Sequence, residues 1–339
     1  MVTLEFDATK KWPDLAPPAS HRVALVTGAR SGIGFHTAIA LARAGFKVYA
    51  GIRRLEDGHA LTDAAAKQGL AIVPIILDVT DIVHRASAIA TIAGVDGRLD
   101  VLVNNAGQAV DGPLEYVTDA EMRSLFDVNV FGVFALTREA LPLMREARRG
   151  RILFLSSMSG RMAMPAMGAY AASKFALEGL AEAWNLELQP FDIDVVLVEP
   201  GPYKTELFRA QAMGEVAASM VGQPGPYRRL IDRFLVLREA VKRSAGDPRE
   251  VAEVIAKLST ARKVPLRVPV GTSARVRTLL RKVLPDSAIS RVIGGLFAGG
   301  KGPISVTVKA DREKPPSAPH ARPGSRWGAG ISGGGPTKR

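Results

Sequence analysis

The stretch Val23-Ala24-Leu25-Val26-Thr27-Gly28-Ala29-Arg30-Ser31-Gly32-Ile33-Gly34 decides the architecture of this chain. Its first four residues are apolar throughout, as in a strand covered on both faces. A glycine-rich turn follows at once, and a helical pattern is predicted over 34–44. Strand, glycine turn and helix start together make a pyrophosphate-binding turn. Gly28 permits the tight turn, Gly32 lets backbone approach a phosphate, and Gly34 lets the helix pack closely on the strand. Arg30, Ser31 and Ile33 complete the loop, whose N–H groups and helix dipole favour an anion.

Outward from that turn, short apolar runs alternate with segments of helical length. Strands are predicted over 23–26, 47–50, 72–77, 101–103, 152–155 and 195–198, and helices over 34–44, 121–146 and 171–188. The β-α-β-α-β order gives an α/β fold, a doubly wound parallel sheet in one Rossmann-like domain. Residues 201–245 are less regular. A helix is expected over 248–258, a last strand over 267–270, and one or two amphipathic helices over 274–297, broken near Pro285. The resulting organisation is a flexible arm over 1–20, the Rossmann-like domain over 21–270, a helical extension over 271–298 and a basic tail over 299–339. Gly, Pro, Ser and Arg dominate the tail, which is expected to be disordered.

The chain has 339 residues, 47% of them hydrophobic, and no cysteine. Such a composition supports a buried core and excludes disulfides, thiolate zinc sites and cysteine nucleophiles. There is no apolar run of about 18 residues or more, and residues 1–20 do not read as a signal peptide. A cytoplasmic location is the expectation. The net charge of +12 first suggests nucleic acid or an anionic surface. Residues 1–210, however, carry 21 Lys+Arg against 24 Asp+Glu, and residues 211–339 carry 24 against 9. The main body is thus close to neutral, as suits a small-molecule site. The tail lacks interleaved aromatics apart from Trp327, so no specific nucleic-acid contact is expected. The five histidines show no metal-ligand spacing, and no metal is expected.

After the second strand the chain reads Ala50-Gly51-Ile52-Arg53-Arg54, with no carboxylate before Glu56. A dinucleotide fold preferring NAD usually places an acid there, whereas a guanidinium suits a 2′-phosphate. Arg53 therefore favours NADP(H), and two solvated loop arginines are the plainer alternative. Asp78 follows the third strand, where it is placed to accept a hydrogen bond from adenine, although Asp is also a common turn residue. Asn104-Asn105-Ala106-Gly107 closes the fourth strand and suits a turn with positive φ near the cofactor. Tyr170 and Lys174 stand four apart on one helix face. A neighbouring ammonium lowers the pKa of a phenol, which is the physical reason to want that pair. Ser157, within Leu155-Ser156-Ser157-Met158-Ser159-Gly160, lies at the sheet end where ligands bind and is suited to polarise a carbonyl that Tyr170 protonates.

These elements together resemble the short-chain dehydrogenase/reductase family, strongly over residues 22–206. The matching residues are Thr27 to Gly34, Asn104 to Gly107, Asn129 in Asn129-Val130-Phe131-Gly132, Ser157, Tyr170 with Lys174, and Pro200-Gly201 leading to Thr205. The resemblance implies that Tyr170 is the acid-base residue, and it selects Ser157, 13 positions before it, as the serine that orients the substrate oxygen. By the same resemblance Lys174 holds the nicotinamide ribose, Asn129 maintains a water-linked proton relay, and Thr205 contacts the carboxamide. One departure is Ser31, which stands where many NADP-dependent members carry a basic residue. Homo-oligomerisation through helices 121–146 and 171–188 is a further implication.

Substrate signals are coarser. Met158, Met162, Met164, Met167, Met213 and Met220, with Leu207, Phe208, Val221 and Tyr227, suggest a cleft wall for a bulky apolar ligand, or equally ordinary core packing. Residues 267–296 look like the extension of 17β-hydroxysteroid and retinol dehydrogenase-like members, tilting the expectation toward a steroid, retinoid or long-chain alcohol or ketone. The amphipathic stretch 274–297 either packs on the enzyme's own core, the favoured reading, or lies on an anionic membrane. The rival classes are a catalytically idle NADP-sensing protein and a peripheral membrane adaptor using the basic last third.

Overall fold

The computed structural model describes residues 21–206 and 212–298. Among them the strands run β1 (Arg22–Val26), β2 (Phe46–Ile52), β3 (Ile72–Ile76), β4 (Val101–Asn104), β5 (Val110–Asp111), β6 (Gly150–Leu155), β7 (Ile193–Pro200), β8 (Ala212–Met213) and β9 (Arg267–Val270). Seven of these form a parallel sheet in the order β3-β2-β1-β4-β6-β7-β9, and β5 pairs with β8 apart from it. Val26 of β1 is registered on one side with Ala50 of β2 and on the other with Val103 of β4. The chain thus winds outward to β3, returns, and continues in the other direction from β4. At such a reversal the loops after β1 and β4 diverge and leave a crevice at the carboxyl ends of the strands.

Continuous apolar runs allow both sheet faces to be buried, and two side-chain clusters do so. On one face Val23, Leu25, Leu102, Phe154 and Val195 pack against α3 (Ile82–Asp96), α5 (Val133–Glu146) and α6 (Gly168–Glu187) through Ile92, Leu136, Leu143 and Leu177. Trp184 of α6 stacks on Phe154 with ring centres 5.5 Å apart. On the other face Val26, Val48, Val103 and Val198 meet α1 (Gly32–Arg43) and the helix Pro248–Thr260 through Ala38, Leu41, Val251 and Ile255.

Three features differ from the sequence expectations. The helix expected over 121–146 is interrupted: α4 (Asp119–Phe126) ends in a π turn, Asp127–Gly132, before α5 begins. Gly132 lies there against Val79, where an added Cβ would come 2.8 Å from the Val79 carbonyl oxygen. Residues 201–245, read as irregular, contain a 17-residue helix, Arg228–Ser244. Its basic residues fall among its apolar ones, and only Ile231 and Phe234 of its apolar side chains are fully buried, so its apolar stripe is narrow.

The third difference concerns residues 274–297. They form two helices, Thr272–Val283 and Asp286–Ala298, divided at Pro285 as expected. Their apolar residues pack inward only in part, so the favoured reading holds for Ile289, which is buried, and for Ile293 and Phe297, which are half-buried, but not for most of the rest. Val276, Leu279, Val283 and Val292 are 50–64% exposed, because Ala274, Arg277 and Ile289 face inward instead. The expected arm over 1–20, the tail over 299–339, and Leu207 and Phe208 lie outside the described residues. No helix among the described residues is long and apolar enough to cross a membrane.

Candidate active site

The glycine turn is stitched to the end of β4 by hydrogen bonds. The Thr27 hydroxyl accepts the N–H groups of Asn105 and Ala106, both at 2.9 Å, and the Asn105 amide donates to the carbonyls of Thr27 (2.8 Å) and Gly28 (3.1 Å). A Cβ on Gly34 would overlap Gly28 O and Asn105 Nδ2. Gly28 and Gly32 have φ of 64° and 57°, which L side chains resist. The 104–107 turn, by contrast, does not use the positive φ expected of it. Its asparagines act through their amides, Asn104 Nδ2 donating to the buried Thr137 hydroxyl at 3.0 Å. Ser31 stands at the N-cap of α1 but makes no side-chain capping bond, so the first-turn N–H groups keep their capacity for an anion. Thr205 closes over the turn, 3.1 Å from where a Cβ on Gly32 would sit.

The three arginines nearby differ in their engagement. Arg30 pairs with Glu206 at 2.6 Å, and Arg54 with Asp57 at 3.2 Å and Glu56 at 3.5 Å. Arg53 is exposed and has no carboxylate within 4 Å among the described residues. Asp78 is partly occupied by a local turn, one carboxylate oxygen accepting from Thr80 N (2.9 Å) and Thr80 Oγ1 (2.7 Å). The open first turn of α1, the two left-handed glycines and an uncommitted Arg53 fit a dinucleotide.

At the end of β6, Ser157 caps a short 3-10 turn and accepts the Ser159 N–H at 3.0 Å. It also stands close enough to the Tyr170 phenol to pull the pKa of that group down. Neighbouring Ser156 points away, its hydroxyl donating to Glu178 Oε1 at 2.5 Å. Of the adjacent pair, only Ser157 therefore faces the tyrosine. Lys174, one turn after Tyr170 on α6, donates to the Leu155 carbonyl at 2.8 Å, with its ammonium 5.8 Å from the phenol ring centre. Burial draws the Lys174 ammonium down to about 8, partly offset by Glu178. Burial also pushes the Tyr170 phenol up to about 12, with Ser157 pulling it down and Asp111 pushing it further up. Desolvation thus governs the phenol, and the depression expected of the Lys174 ammonium is not among the causes of its shift.

Asn129 lies in the π turn, fully buried. Its amide donates to Gln108 O (2.8 Å) and Ser173 Oγ (3.0 Å), and its carbonyl accepts Gln108 N–H at 2.8 Å. This clamp holds Gly107 where an added Cβ would stand 3.3 Å from Asn129 Oδ1 and 3.8 Å from Lys174 Nζ. Gln108, Ser173 and Glu178 were not singled out from the sequence. Glu178 was accessible to it, lying four residues after Lys174 on one helix face. The other two act through a backbone carbonyl and a buried hydroxyl, which leave no pattern.

Above these residues opens a cavity of about 220 Å³. Met158, Met164, Met167, Phe234, Leu237 and Phe297 form much of its wall, and Pro200, Gly201 and Thr205 lie at its edge. Met162, Met213, Met220, Val221 and Tyr227 are not on the wall, so the expected methionine lining is only half correct. Tyr227 instead donates to Glu115 at 2.6 Å and packs edge-on against Tyr116. A buried pair, Asp111 with Arg238 at 3.4 Å, crosses the wall between β5 and the helix Arg228–Ser244. Among the described residues no group of His, Asp and Glu is arranged to hold a metal ion.

Residues 22–215 match the short chain dehydrogenase family. The chain is 34% identical over 278 residues to a 3-ketodihydrosphingosine reductase of Bacteroides thetaiotaomicron, covering 82% of this chain and 98% of that one. It is 41% identical over 191 residues to human 17-beta-hydroxysteroid dehydrogenase type 1, covering 54% of this chain and 57% of that one. Its fold superposes on a metagenomic short-chain oxidoreductase in complex with NADP with a TM-score of 0.58 and 28% identity, over 74% of this chain and 96% of that one. Sequence, sheet order and the likeness to these proteins agree: the chain belongs to the short-chain dehydrogenase/reductase family, nicotinamide-dependent oxidoreductases acting on CH–OH and C=O groups.

Proposed function

We propose that this chain is an NADP(H)-dependent reductase of a lipophilic ketone, able to run in reverse on the alcohol. The observation that carries the reading is the placement of Ser157, Tyr170 and Lys174 together on the lining of a cavity walled by methionine and phenylalanine. A bound nicotinamide supplies or accepts the hydride. Tyr170 delivers the proton to the substrate oxygen, and Ser157 donates a hydrogen bond to that oxygen. Lys174 holds the ribose and adds positive charge beside the phenol. Asn129 fixes Gln108 and Gly107 and maintains the proton relay. A phenol pushed up to about 12 stays protonated at neutral pH, so it is in the form that donates a proton to a carbonyl.

Gly28, Gly32 and Gly34 with Arg30, Ser31 and Ile33 would hold the pyrophosphate. Asp78, Asn104, Ala106, Gly107, Pro200, Gly201 and Thr205 would line the adenine and nicotinamide ends. Arg53 would take the 2′-phosphate, because Arg30 and Arg54 are engaged by acids. The apolar wall supports a steroid, retinoid or long-chain substrate, in keeping with relatives named for a keto lipid and a steroid. The test is turnover of such ketones with NADPH and with NADH. A clear preference for NADPH and for apolar ketones is expected, and equal use of both cofactors would remove the role of Arg53.

A second reading concerns where the enzyme works. We place it in the cytoplasm as a homo-oligomer, with exposed Phe131, Phe134, Phe175 and Leu186 on and beside α5 and α6 as the subunit contact. The exposed stripe Val276, Leu279, Leu280 and Val283, flanked by Arg275 and Lys282, further supports contact with an anionic membrane surface. Co-sedimentation with anionic but not neutral vesicles, reduced by Leu279→Gln, is the expected result.

A further inference from the structure

Two arginines stand on the cavity wall, and among the described residues only one of them faces an acid. Arg238 has Asp111 at 3.4 Å. Arg277, projecting from the helix Thr272–Val283, meets no carboxylate within 4 Å among the described residues. Its guanidinium reaches the Met162 carbonyl at 3.5 Å, the outer limit of a hydrogen bond. The side chain is half-buried, and burial lowers its pKa with no acid acting against the shift. Along its own helix the other charged residues are Arg275, Arg281 and Lys282, all basic, and Arg281 is already paired with Asp286. Met158, Met164 and Phe297 share the wall with it and supply no charge. A guanidinium held this way in an apolar wall is unfavourable until an anion arrives, and its planar fork matches a carboxylate with two parallel hydrogen bonds.

We propose that Arg277 anchors an anionic end group, so that the substrate is a lipophilic ketone or alcohol bearing a carboxylate. With the reacting oxygen at Tyr170 and the carboxylate at Arg277, the apolar body lies along the methionine wall. This inference rests on the reading of the cavity as a lipophilic substrate site. A cofactor phosphate is the other anion available to this cleft, and the test separates the two.

Arg277→Met and Arg277→Lys are compared with the unaltered chain on a long-chain keto acid and on its methyl ester. The unaltered chain is expected to favour the acid. Arg277→Met is expected to lower kcat/KM for the acid about 10- to 100-fold and for the ester by no more than about twofold, with Arg277→Lys intermediate. NADPH affinity, read by fluorescence titration, stays unchanged. A parallel loss on acid and ester, or weakened NADPH binding, overturns the proposal. If neither compound is turned over by the unaltered chain, the lipophilic-ketone reading fails, and calorimetric binding of decanoate against decanol still decides the role of Arg277. Decanoate binding that Arg277→Met abolishes sustains the anchor, and binding absent from the unaltered chain or indifferent to the substitution refutes it. Thermal melts confirm that both variants are folded.

Discussion

The floor and the wall of this cleft are built by opposite means. The floor, at residues 27–34 and 104–107, is backbone: left-handed glycines, an open helix start, and Thr27 and Asn105 tying two strand ends together. The wall is side chain: methionines from the loop after β6, and phenylalanine and arginine hung on three helices. A backbone site dictates residue identity, because any added atom collides. A side-chain site dictates only a property such as apolarity or charge, which many residues supply. The floor therefore suits a ligand common to a whole family, while the wall is free to change with the substrate.

Tyr170 sits where the two meet, and its loss should have the largest effect. Tyr170→Phe keeps the ring and both surfaces, so NADPH binding stays within about twofold while turnover falls about a thousandfold or more. More than a tenth of normal turnover would show that another group delivers the proton. The pH profile sharpens the same point. The phenol remains protonated to about 12, so it does not limit reduction near neutrality. Lys174 loses its charge near about 8, so the ketone-reduction rate should be level below that pH and decline above it. A profile rising through pH 8 would contradict this assignment.

The floor and wall can be separated directly by two small substitutions. Gly34→Ala puts a Cβ into Gly28 O and Asn105 Nδ2, and cofactor affinity should fall about a hundredfold, since backbone must move. Met164→Ala alters more atoms, yet it should change KM for an apolar ketone only about threefold to tenfold and leave NADPH affinity untouched. Comparable losses of cofactor affinity would dissolve the distinction. Arg53→Ala comes next. It should weaken NADPH binding about thirtyfold and NADH binding hardly at all. Arg54→Ala and Arg30→Ala should do less, because those side chains are held by Asp57, Glu56 and Glu206.

The same contrast explains what was legible in the sequence. Gly28, Gly32 and Gly34, and the apolar runs of β1, β2 and β4, are forced by backbone sterics and two-sided burial, so they stand out in a bare sequence. The wall was half visible. Methionine marks apolarity but not direction, and only Met158, Met164 and Met167 of the six face the cavity. The helix Arg228–Ser244 was hidden because arginines interrupt its narrow apolar stripe, and one of them, Arg238, pairs with Asp111 more than a hundred residues away. The π turn around Asn129 was equally hidden, since one extra residue per turn shifts a helical pattern no more than sequence noise does.

Glu199, at the end of β7 just before Pro200-Gly201, lies behind both surfaces and offers the smallest but most diagnostic effect. Its side chain is 1% exposed, and neither carboxylate oxygen has a hydrogen bond among the described residues. Arg267 is 3.4 Å away but donates instead to Glu178 at 2.9 Å, and it also bonds Glu182. Burial, with repulsion from Glu178, pushes the Glu199 carboxyl up to about 7 from 4.5. The folded chain therefore holds a proton that the unfolded chain releases near 4.5. This contribution to stability is complete below that value and is lost as pH rises through about 7. Glu199→Gln keeps the shape and removes the titration. It should match the unaltered chain at about pH 4.5 and exceed its unfolding free energy by about 1–2 kcal/mol at about pH 8, read from urea denaturation at the two pH values. A variant less stable at the higher pH would mean that the attraction of Arg267 outweighs burial. The carboxylate would then be a fixed brace for the last sheet pairing, β7 to β9, on which the Arg277 helix is mounted.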